Sequence, residues 1–91
     1  MADKTEQNPP ALLEELGSVI AAARTRRRLK QTDVSLFTGI PISTYRRYEK
    51  DGPTKVGEAF AIASALGVPL SELIREAEGG PPASATRPVS G

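Results

Sequence analysis

Apolar residues recur along the chain at helical spacing. Between Leu12 and Arg27, Leu13, Leu16, Ile20 and Ala23 fall three and four positions apart, which predicts an amphipathic helix with one buried stripe. Asn8, Pro9 and Pro10 suit its start, because asparagine caps well and proline fits a first turn. A second helix is expected from Gln31 to Thr38, burying Val34 and closed by Gly39. The third is expected from Ile42 to Glu49, with Tyr45 and Tyr48 inward and Ser43, Arg46, Arg47 and Lys50 outward. Asp51-Gly52-Pro53 breaks the chain. Thr54 is the expected cap of a fourth helix carrying Val56, Ala59, Phe60, Ile62, Ala63 and Leu66 and ended by Gly67. Pro69 opens a fifth helix, in which Leu70, Leu73 and Ile74 are the expected buried positions. Gly79-Gly80-Pro81-Pro82 stops it.

No strand pattern and no repeat appears, so the expected class is all-α: a compact five-helix unit over 9–78. Residues 1–8 are polar and 79–91 are rich in Pro, Ala and Ser. Neither stretch has the apolar content to build a core, and both are expected to be disordered tails.

Charge changes the picture once it is divided along the chain. The formal net charge is +1, yet residues 24–50 hold eight Lys and Arg against Asp33 and Glu49, a local +6. Residues 1–23 and 51–78 are each −3. A basic middle between acidic flanks is what a protein needs to present one face to a polyanion; the alternative is a solvated charged surface. That middle coincides with two short helices joined at Gly39, the outline of a helix-turn-helix, whose second helix enters the DNA major groove.

Other chemistry is scarce. The chain has no cysteine and no histidine, which removes disulfides, thiolate sites, the usual general base and the commonest zinc ligand. With no phosphate loop and no convincing carboxylate pair, an enzyme is not expected, and neither is a cofactor or metal. No apolar run approaches the ~20 residues of a membrane span. The first residues lack the pattern of a signal peptide. A cytoplasmic protein with no membrane partner is the expectation.

On the exposed face of the third helix, positions 42, 43, 46 and 47 line up. Arginine can bond a guanine's O6 and N7 together, so Arg46 or Arg47 is the candidate base reader. Ser43 or Thr44 is a candidate for a base or phosphate contact, and Ile42 for a thymine methyl. The alternative is that both arginines only neutralise phosphate. Gln31 stands where the first backbone amides of the second helix favour an anion. Arg27, Lys30 and Lys50, with Arg26, are more diffuse phosphate candidates.

Over about residues 16–75 the sequence resembles the Xre family of helix-turn-helix domains, the fold of phage Cro and cI repressors. Leu16-Gly17, Ile20 and Arg24 match its first helix. Leu29 and Gln31 match the approach to the second, followed by Val34 and Gly39-Ile40. Glu49 matches the end of the third, and Ile62-Ala63 with Leu66-Gly67-Val68 the fourth.

The resemblance implies binding to double-stranded operator DNA, commonly as a homodimer and usually in repression. It implies a phosphate contact for Gln31 and a structural ion pair between Arg24 and Glu49. An antitoxin that also holds a toxin, or a protein-interaction module on the same fold, are the alternatives.

Departures from the family pattern carry expectations of their own. Lys30 replaces the Ser or Thr that caps the second helix. Pro41 has no capping side chain, which leaves room for a third helix that starts later, capped by Ser43. Ser35 replaces a smaller residue, Arg28 replaces a frequent glycine, and the loop before the fourth helix is about one residue short. Leu36 and Phe37 replace polar residues. They are expected either to be covered by Leu12 and Leu13 or a neighbouring helix, or to form a dimer or partner contact.

Overall fold

In a computed structural model, residues 9–79 are described, and they form five helices and no strand. They are α1 (Pro9–Arg26), α2 (Gln31–Thr38), α3 (Ile42–Asp51), α4 (Val56–Leu66) and α5 (Leu70–Ala77). Asn8 and the expected tails, Gly79 apart, lie outside the described residues. No single helix among them is long and apolar enough to cross a membrane.

Helices α2 to α5 are short, 8 to 11 residues each, so their stability comes from the face they bury rather than from propensity. Leu16, Ile20 and Ala23 of α1, Val34 of α2, Tyr45 and Tyr48 of α3, Ile62, Ala63 and Leu66 of α4, and Leu73 and Ala77 of α5 converge on one core with Ile40. Ile20, Tyr45, Ile62 and Leu66 are completely buried. The longest helix, α1, packs against α3 and α5, while α2 packs against α3 and α4.

Gly17 is where α1 crosses α3. A Cβ built there would lie 2.6 Å from the Tyr48 carbonyl oxygen and 2.7 Å from that of Glu49. Only a residue without a side chain lets the two backbones approach so closely. The crossing fixes how far the outer face of α3 stands from the body of the protein.

Four local details bear on the expectations. First, α3 starts at Ile42, as its spacing predicts, with Pro41 at the cap position and not at the later start that a Ser43 cap implies. The Pro41 carbonyl accepts the Tyr45 N–H at 2.9 Å, so the first turn closes without a side-chain cap. Second, α3 runs to Asp51 rather than Glu49, because its ladder continues until the Gly52 N–H meets the Tyr48 carbonyl at 2.8 Å. Third, Lys55 rather than Thr54 occupies the cap position of α4; its carbonyl takes the first bond, from the Ala59 N–H at 3.0 Å. Fourth, Ile74 is not buried but 37% exposed, and Val56 and Phe60 also face outward. The buried stripes of α4 and α5 are narrower than the apolar ones, because the helices packed against them leave Val56, Phe60 and Ile74 uncovered.

Candidate nucleic-acid interface

The connection between α2 and α3 is three residues, Gly39, Ile40 and Pro41. Gly39 adopts the left-handed conformation (φ 79°) that ends α2, and Ile40 is buried beneath the turn. Two small polar side chains fasten it. Ser35 Oγ donates to the Ile40 carbonyl at 2.5 Å, and Thr38 Oγ1 accepts the Ile40 N–H at 3.2 Å. Sequence reasoning assigned Ser35 and Thr38 no function; hydroxyls in the turn before a helix-ending glycine are the signal that was available. At the other end of α2, Asp33 accepts the Lys30 N–H at 2.8 Å, supplying a cap from inside the helix where Lys30 has none to offer.

Behind the turn lies a polar junction centred on Glu49. Arg24 Nε donates to Glu49 Oε2 at 2.6 Å and its Nη2 to Oε1 at 3.3 Å, a forked contact from α1 to α3. It is the one ion pair found among the described residues. Arg24 Nη1 also donates to the Leu29 carbonyl at 2.8 Å. The Tyr45 hydroxyl donates to Glu49 Oε2 at 2.5 Å, and Gln31 Nε2 donates to Oε1 at 2.9 Å.

Burial pushes the Glu49 carboxyl upward, but the donors from Arg24, Tyr45 and Gln31 outweigh it and hold it below its ordinary range. The same contact raises Arg24. Tyr45 is raised by burial first and by the neighbouring carboxylate second. Glu49 is therefore a charged, acceptor-only hub at neutral pH.

In front of that junction, Ser43, Arg46, Arg47 and Lys50 stand exposed along one side of α3, with Lys30 exposed just before α2. Ile42 is partly buried against the core and Thr44 is half-buried, so neither reaches outward as fully as Ser43. Gln31 is half-buried and belongs to both groups: besides its bond to Glu49, its Oε1 accepts the Arg46 Nε–H at 3.3 Å.

Arg27 stands apart. Its guanidinium lies over the carboxyl end of α4, where a Cβ on Gly67 would come within 2.9 Å of its Nη2. A cation at that end is favoured by the carbonyls left unpaired there. Leu36 and Phe37 are 83% and 67% exposed. The cover expected from Leu12, Leu13 or a neighbouring helix is not there among the described residues.

A short three-residue turn, a buttressed second helix and a third helix with one basic outer face form a helix-turn-helix. The helix-turn-helix family model matches residues 20–73, more than half of the chain and all of this geometry. The chain belongs to the helix-turn-helix family of Xre and Cro/cI type. No curated protein and no solved structure matches it. The family is one of DNA-binding regulators, typically without enzymatic activity.

Proposed function

We propose that the protein is a sequence-specific regulator of transcription, acting as a repressor that occupies operator DNA and blocks polymerase. The third helix, α3, enters the major groove; the observation that carries this is the exposed row Ser43, Arg46, Arg47 and Lys50 on a helix held from behind by the core. Arg46 is the leading base reader, with Arg47 beside it. Ser43 and Thr44 make base or phosphate contacts, and Ile42 offers its outer edge to a thymine methyl. Lys30, Lys50 and the amino end of α2 at Gln31 serve phosphates, which give affinity and register rather than sequence information.

The site binds as a homodimer, so two copies of α3 should meet half-sites about one helical turn, ~34 Å, apart. Selection from a randomised duplex library at ~150 mM salt tests this, at a salt level where phosphate contacts alone are already weakened. An enriched palindrome that is lost in Arg46→Ala and Arg47→Ala supports the reading. Salt-sensitive binding without enrichment defeats it.

A second reading, contact with a toxin or other protein partner, is favoured by one observation: the uncovered Leu36–Phe37 pair on α2. Sedimentation of Phe37→Glu, which reads contacts between copies of the chain, separates a homodimer contact from one with a different protein. An unchanged mass, alone and with DNA, removes that pair from any interface between copies.

A further inference from the structure

We propose that Glu49, besides bracing α1 against α3, is a positioning residue for base reading: through Gln31 it sets the guanidinium of Arg46. The proposal rests on the reading of α3 as the major-groove helix and says how that helix is tuned.

The two oxygens of Glu49 are used unequally. Oε2 takes the short bonds from Arg24 Nε, at 2.6 Å, and from the Tyr45 hydroxyl, at 2.5 Å. Those contacts brace the fold. Oε1 takes Gln31 Nε2 at 2.9 Å and only a long contact, 3.3 Å, from Arg24 Nη2. This second oxygen therefore spends its strength on the first residue of α2.

A carboxylate can only accept, so the Gln31 amide must present its nitrogen to Glu49 and its oxygen away from it. That oxygen is where the Arg46 Nε–H arrives, at 3.3 Å. Of the two ways the amide can be turned, one satisfies both neighbours and the other opposes both. The charge on Glu49 thus fixes the amide, and the amide fixes the side of Arg46 nearest the backbone.

The consequence is specific to recognition. An exposed 3.3 Å bond adds little to the stability of the fold. Arginine, however, has many rotamers, and holding its Nε narrows that choice while leaving the terminal nitrogens to donate elsewhere. Those are the donors that a base edge with two acceptors requires. The relay crosses from the end of α3 to the start of α2 and back to the middle of α3, so it also reports the separation of the two helices.

The test uses the full chain and its selected duplex. Binding of the duplex and its single-base-pair variants is measured by fluorescence anisotropy for the wild type, Arg46→Ala, Gln31→Met, their double variant and Glu49→Gln. Arg46→Ala is expected to erase the preference at one base pair, by about tenfold to a hundredfold. Gln31→Met is expected to lose about three- to tenfold of that same preference, with little change at other positions, and to lower the melting temperature by roughly 4–8 °C because Glu49 loses one donor. The double variant should then be no less selective than Arg46→Ala alone, and Glu49→Gln should lose the same preference together with stability.

An equal loss by Gln31→Met on every duplex would overturn the relay and leave a phosphate contact in its place. So would full selectivity in a folded Glu49→Gln. Should Glu49→Gln fail to fold, Gln31→Met still decides. If Arg46→Ala alters no base preference, the base-reading assignment itself fails and takes the relay with it. If Arg46→Ala acts and Gln31→Met does not, the relay alone fails.

Discussion

The inner and outer faces of α3 carry similar chemistry and have opposite relations to the rest of the chain. Inside, Glu49 accepts from three side chains and Tyr45 is wholly buried. On the outer side, Ser43, Arg46, Arg47 and Lys50 are exposed. One short helix therefore separates what holds the domain together from what is proposed to touch DNA. Charge alone does not reveal the division: Arg24 and Arg46 are both arginines of the basic segment. Their partners distinguish them, a 2.6 Å carboxylate contact for one and a 3.3 Å amide contact at the surface for the other.

The largest expected effect follows from that contrast. Arg24→Ala leaves the Glu49 carboxylate, only 9% exposed, without its charged partner. A loss of about 3 kcal/mol is expected for breaking such a buried pair. In a domain of this size that is roughly 12–24 °C in melting temperature. Arg46→Ala should leave the melting temperature nearly unchanged and weaken operator binding instead. Equal melting temperatures in thermal denaturation would erase the distinction between the two faces.

Next in size is the spacing of the inner face. Alanine is the better helix former by ~1 kcal/mol, so Gly17→Ala would stabilise an isolated α1. In this fold its Cβ meets two backbone carbonyls at 2.6 and 2.7 Å, which cannot turn aside. A net loss of about 1–3 kcal/mol is expected. Gly57 is the control, because a Cβ there meets nothing within 4 Å. Gly57→Ala should show the ordinary gain, and urea denaturation of both variants reads the two signs side by side. A gain in Gly17→Ala would mean that the crossing is looser than the structure shows.

The charge on Glu49 gives the comparison a pH axis. Its carboxyl is held below the ordinary 4.5, so the stability it contributes is complete above that value and is lost as pH falls through the lowered one. Tyr45→Phe removes one donor and lets the carboxyl drift back upward. The variant should lose about 1.5 kcal/mol at pH 7, the lower end for a hydrogen bond to a charged group. Between pH 5 and pH 3 it should then lose less than the wild type. Parallel pH profiles for the two proteins would show that Tyr45 does not help to hold the charge.

Much of this arrangement was legible in the sequence, for identifiable reasons. Spacing located all five helices, and α2 has its expected bounds because Gly39 ends it in a conformation few other residues adopt. Periodicity also placed Tyr45 and Tyr48 inside. It did not show how wide each buried stripe is, since that depends on which neighbours arrive; hence the exposed Val56, Phe60 and Ile74. Helix caps were the weakest point. Pro41 and Lys55 begin α3 and α4 through backbone carbonyls, which leave no trace in side-chain preferences. The Arg24–Glu49 pairing was suggested by family resemblance, not by local pattern, because its partners are 25 residues apart. Gln31 was expected to face a phosphate. Its bonds to Glu49 and Arg46 span 18 and 15 residues, and no local pattern reports contacts of that range.

The smallest expected effect concerns a residue on neither face of α3. The ends of α1 and α4 close with the same pair of hydrogen bonds: Leu29 N–H to Arg24 carbonyl with Arg28 to Thr25, and Val68 to Ala63 with Gly67 to Ser64. The left-handed position is Gly67 in α4, at φ 75°, but Arg28 in α1, at φ 61°. A side chain in that conformation costs about 1 kcal/mol. Arg28→Gly should therefore gain about 0.5–1 kcal/mol, roughly 2–8 °C in melting temperature. Binding measured across a salt series then decides what the arginine does. Unchanged affinity would confine the DNA-facing charge to α3 and the start of α2. Weaker binding with a salt slope shallower by about one would extend it to the α1–α2 turn and give the strained arginine a reason to be there.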